Sequence, residues 1–106
     1  MRYAHLVLAA LGAATVMTAH AQQITDRQKG RLLARQVCAE CHAVGRQRLR
    51  SPNSEAPSFV AVASTPGMTE MALNVFFQTP HRAMPNLILT PGQKREIIAY
   101  ILSLRR

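Results

Sequence analysis

The chain has 106 residues, two cysteines, no tryptophan and 48% hydrophobic residues, and its 13 Lys and Arg against 5 Asp and Glu give a formal charge of +8. That length allows one small domain. The basic excess comes without a run of interleaved aromatics, which argues against a nucleic-acid partner and for an acidic protein or an anionic surface.

Met1-Arg2 form a short positive start, an apolar run rich in Ala and Leu spans Leu6 to Met17, and Ala19-His20-Ala21 is a small-x-small site before a polar stretch. This is the pattern of a secretory signal peptide. The competing reading is an uncleaved anchor, because Tyr3 to Ala19 nearly reaches the length a bilayer requires. His5, Gly12 and the Ala-x-Ala site favour cleavage. The expected division is a signal peptide over 1–21 and one domain over 22–106, with no stable membrane insertion after the cut. Loss of 1–21 removes only Arg2, leaving 12 Lys and Arg against 5 acids, a formal +7. An exported domain meets oxidising conditions, and a bacterial periplasm fits that setting.

The first helix of the domain is expected to start at a cap on Thr25 or Asp26 and to run to Cys38, with Leu32, Leu33, Gln36 and Val37 marking its period. Next comes Cys38-Ala39-Glu40-Cys41-His42, a CxxCH pentapeptide holding both cysteines. This is the attachment signature of a c-type haem. Two thiols three positions apart lie on one helical turn, where each can add to one vinyl group of the macrocycle. The adjoining His42 then reaches the iron as an axial ligand, its ring oriented by a hydrogen bond from the other nitrogen to a backbone carbonyl. Three other readings compete. A redox dithiol calls for a βαβ pattern that is absent here. A zinc site would need Cys38, Cys41, His42 and His81, in a spacing that matches no HxxxH half-site. A disulfide closing so short a loop would add little stability.

Val44 to Glu55 reads as a loop rich in Arg, Gly, Ser and Pro. A short helix follows Pro57, capped by Ser58 and holding Phe59, Val60 and Val62. Thr69 caps a third helix carrying Met71, Leu73, Val75, Phe76 and Phe77, which must stop before Pro80. In the last helix Thr90 is the N-cap, Pro91 the first helical residue and Gln93 the capping-box partner, with Ile97, Ile98, Ile101, Leu102 and Leu104 as the buried stripe. The segment from Pro80 to Leu87 would supply a second axial ligand, and a thioether is the soft neutral choice that raises a haem potential. Met84 is the candidate, because Pro85 keeps it out of the α region. Met68 and Met71 sit at the start of a helix, where methionine usually fills core. His81 as the ligand, or a sixth position left open, competes with Met84.

Together these features resemble the small bacterial class I cytochromes c with one haem. The residues that carry the resemblance are the CxxCH, the late Met84-Pro85 pair, the final helix with Tyr100, Gly30 eight residues before Cys38, and Ala56-Pro57-Ser58-Phe59. The resemblance covers about residues 25 to 104. It implies an all-α cytochrome c fold, in which short helices wrap one covalently bound haem c, and single-electron transfer rather than enzymatic turnover. In such proteins the glycine and the aromatic mark a close crossing of first and last helices, which assigns Gly30 to Tyr100 and Ile97. The loop proline carbonyl accepts a hydrogen bond from the proximal histidine, which assigns Pro57 to His42. The chain departs from the pattern in offering Leu33 and Ala34 where many relatives have an aromatic, and in lacking a tryptophan for a propionate. Two further functions stay open: a haem subunit of a periplasmic dehydrogenase, and an open-site haem enzyme or sensor. Redox partners with acidic surfaces are expected to dock where Arg46, Arg48, Arg50 and Arg82 flank the haem edge, with Arg105 and Arg106 far from it.

Overall fold

The computed structural model describes residues 2–79, 83–84 and 87–106, the stretch 2–16 as helical backbone only. Four helices and no strands occur among the described residues: α1 Arg2–Val37, α2 Phe59–Ser64, α3 Glu70–Gln78 and α4 Pro91–Leu102. The fold is all-α.

Three of the four helix starts lie where the cap residues put them. Ser58 accepts from the Ala61 amide, Thr69 from Ala72 and Thr90 from Gln93. The Gln93 side chain also accepts from the Thr90 amide at 2.9 Å, closing the capping box. Each hydroxyl satisfies an amide that the helix itself leaves without a partner.

The start of α1 departs from expectation. Thr25 and Asp26 are not caps; the helix runs through them without interruption from Arg2. No proline or glycine stands between Ala13 and Lys29 to stop it. The Thr25 hydroxyl donates back to Ala21 O at 3.0 Å, and Asp26 accepts from Gln22 at 2.8 Å, both one turn away within the helix.

The buried face of α1 departs as well. Asp26, Gly30, Ala34 and Cys38 are buried at four-residue intervals, while Leu32 and Val37 are exposed. This small-residue stripe lets α1 pack chiefly on α4. A Cβ at Gly30 would run into the carbonyl of Glu96 and sit 2.9 Å from Tyr100 Cβ, so the two backbones touch there. Only glycine permits that approach. Ala34 and Ile97 are fully buried beside this contact, and Arg95 reaches across the crossing to Asp26 at 3.2 Å.

The core joins Ala34, Cys38, Phe59, Val60, Ala63, Leu73, Ile97, Ile98, Tyr100, Ile101 and Leu104. Leu102 is only partly buried against it. Met68 also packs on this cluster, but Met71 is 76% exposed and fills no core.

Candidate functional site

The CxxCH extends the last turn of α1. Cys38 N donates to Ala34 O at 2.9 Å, and His42 N to Cys38 O at 2.9 Å, so the pentapeptide keeps a helical path after α1 ends. Cys38 is buried and Cys41 half-buried, and no disulfide joins them. Burial pushes the Cys38 thiol up to about 11, which keeps it protonated at neutral pH.

His42 Nδ1 lies 2.7 Å from Pro57 O. A carbonyl oxygen can only accept, so Nδ1 carries a proton, and in the neutral ring the lone pair is on Nε2. The ring is thus the tautomer that a metal bound through Nε2 requires. The Phe59 ring stands 5.5 Å from the His42 ring and 6.4 Å from Tyr100, whose hydroxyl donates to Val44 O. Imidazole, Phe59 and Tyr100 therefore form one aromatic column between the CxxCH and α4.

The segment from Val44 to Glu55 is more ordered than its composition suggests. Ala43 N donates to Ser51 Oγ at 3.0 Å and Asn53 N to Cys41 O at 3.1 Å, which folds the loop back on the pentapeptide. Phe59 N donates to Ala43 O at 2.9 Å and aligns Pro57 with His42. Ser51 and Asn53 escaped sequence reasoning; a serine and an asparagine in a polar loop carry no signal beyond turn propensity.

Met84 is half-buried in a bend between α3 and α4. Its neighbours Pro80, His81, Arg82, Pro85 and Asn86 lie outside the described residues, so the stiffening by proline, the ligand role weighed for His81 and the placing of Arg82 fall there too. None of the described contacts joins Met84 to the CxxCH turn. Among the described residues no three His, Cys, Asp or Glu side chains converge as a metal cluster. A haem would draw only one of its ligands from those types, and the set present fits it: two thiols on one turn and an imidazole whose Nδ1 is committed to Pro57 O, which leaves Nε2 for a metal.

Basic residues near the site divide into two kinds. Arg48 and Arg50 are exposed and make no described ion pair. Arg46 instead donates to Ser103 O, and Arg106 donates to Arg46 O at 2.8 Å. Arg106 is therefore next to the loop after the CxxCH, whereas Arg105 bonds to Ala63 O and Met68 O.

No helix among the described residues is long and apolar enough to cross a membrane. No family model matches the chain, and no solved structure matches it. Its sequence is 36% identical over 80 residues to cytochrome c-552 of Bradyrhizobium diazoefficiens, an alignment covering 76% of each of the two chains.

Proposed function

Because the chain belongs to the small monohaem class I cytochromes c, whose members bind haem c covalently, we propose that it is a periplasmic single-electron carrier with His42 and Met84 as axial ligands. The observation that carries this reading is the 2.7 Å contact of His42 Nδ1 with Pro57 O, because it leaves Nε2 as the only nitrogen able to bind iron. Bound haem supplies the one-electron ferric and ferrous couple.

Each residue then has a separate task. Cys38 and Cys41 would hold the haem through thioethers. Pro57 fixes the His42 ring and raises its basicity. Met84 would supply a neutral, soft ligand that favours the reduced form. A carrier of this type takes no substrate at the metal and is not an enzyme. Residues 1–21 serve as a signal peptide, cut after Ala21, which delivers 22–106 to the periplasm; the Ala19-His20-Ala21 site and the apolar run before it support that division.

The test is extraction followed by a spectrum. Haem should stay with the polypeptide through denaturation and acid acetone, and Cys38→Ser or Cys41→Ser should sharply lower holoprotein yield. Free haem released from the wild-type chain would end the reading. Intact mass of the exported protein, matched against a chain starting at Gln22, checks the cleavage.

A further inference from the structure

The contact between His42 and Pro57 joins two segments, and the last two residues of the chain hold both of them. On the Pro57 side, α2 begins directly after Ser58, and at its far end Arg105 Nε donates to Ala63 O at 3.0 Å while Nη2 donates to Met68 O. Arg106 N donates to Ser64 Oγ at 3.3 Å. On the His42 side, Arg106 donates to Arg46 O, and Arg46 returns a bond to Ser103 O at the end of α4. A six-residue helix has little stability of its own, so its position depends on such tertiary ties. Cationic guanidinium at the Ala63 carbonyl, in the last turn of α2, is also the favourable sign for a helix C-terminus.

We infer that Arg105 and Arg106 are positioning residues that clamp α2 and the segment after the CxxCH together, and thereby hold the Pro57 carbonyl on His42 and set the donor strength of that ligand. The inference rests on His42 being an iron ligand. Without the clamp α2 is free to shift at its C-terminal end, the Nδ1 bond lengthens, the imidazole becomes a poorer donor, and the ferric state loses stabilisation. The reduction potential then rises.

Loss of positive charge alone acts oppositely. Removing a cation from near the haem favours the ferric form, which carries one more positive charge, and lowers the potential. The sign of the shift therefore separates the two effects. Arg105→Leu with Arg106→Leu in the holoprotein should raise the potential, and the Nδ1 proton of His42 should exchange with solvent several-fold faster by NMR. Arg48→Leu with Arg50→Leu removes the same charge from two exposed side chains and should lower the potential without changing that exchange. If the first pair does not yield holoprotein, Arg105→Lys keeps the charge and loses the two-point bond; it should still raise the potential and speed exchange. A fall or no change in potential with unaltered exchange overturns the clamp. In the oxidised wild-type protein the His42 ring protons must show paramagnetic shifts. Their absence would overturn the ligand assignment, whereas shifted protons with unaltered exchange overturn only the clamp.

Discussion

Gly30 and Glu96 meet backbone to backbone where α1 crosses α4, and the atom opposing a Cβ at Gly30 is the Glu96 carbonyl oxygen, which cannot swing aside as a side chain can. Gly30→Ala should destabilise the holoprotein by about 1–3 kcal/mol, the usual cost of forcing a methyl into a filled interface. Denaturant unfolding followed at the haem band measures it. An alanine variant as stable as the parent would mean that the helices separate there at no cost.

Asp26 and Arg95 are unequal partners. Asp26 is 5% exposed, whereas the Arg95 side chain is 57% exposed and can return to water. Arg95→Ala leaves a buried carboxylate with only the Gln22 amide, and should cost about 1–3 kcal/mol. Asp26→Asn should cost less, because it removes the buried charge and leaves Arg95 solvated. Thermal unfolding of the two variants side by side gives the order; the reverse order would show that the carboxylate is well solvated in the protein.

Met84→Ala should abolish the weak far-red sulfur-to-iron band, lower the potential and admit added ligands such as cyanide or imidazole quickly. Met71→Ala should leave all three unchanged, as befits a side chain 76% exposed on α3. An intact far-red band in the Met84 variant would transfer the ligand role elsewhere.

Docking is expected at Arg48 and Arg50, which follow the CxxCH and are exposed. Their reversal to Glu should slow electron transfer with an acidic partner and flatten its salt dependence, since exposed charges are screened within about 8–10 Å at 0.1–0.15 M salt. Stopped-flow rates against ionic strength decide the matter, and rates indifferent to salt would leave apolar contact as the basis of docking. Arg105 and Arg106 do not serve as a remote control, because Arg106 donates to Arg46 O in the loop after the CxxCH. Arg27 and Arg31, on the exposed side of α1, serve better.

Local chemistry explains what was legible in the sequence. Ser58, Thr69 and Thr90 announce three helices because each cap acts within three residues of itself, and the CxxCH announces its turn for the same reason. The face of α1 was legible only at Gly30, where the family resemblance placed the crossing with Tyr100. Its larger residues Leu32 and Val37 suggested a stripe, yet the helix buries Asp26, Gly30 and Ala34, since close approach to α4 selects for small size over hydrophobicity. The start of α1 was hidden too: Thr25 and Asp26 have cap chemistry, but nothing before them breaks a helix. The arginine clamp leaves no pattern at all, because its acceptors are backbone oxygens 37 to 60 residues away.

The dependence of α1 on α4 has a consequence in time. A chain that emerges from its N-terminus first presents Cys38, Cys41 and His42 while residues 91–104 are still to come, and until those arrive Gly30 and Ala34 have nothing to pack on. In the folded domain Cys38 is buried in the core to which α4 contributes Ile97, Ile98, Tyr100 and Ile101. The order of emergence thus opens an interval in which both thiols are on a helix without its partner, and the proposed haem attachment would have access to them there. The same docking that completes the domain brings that interval to a close.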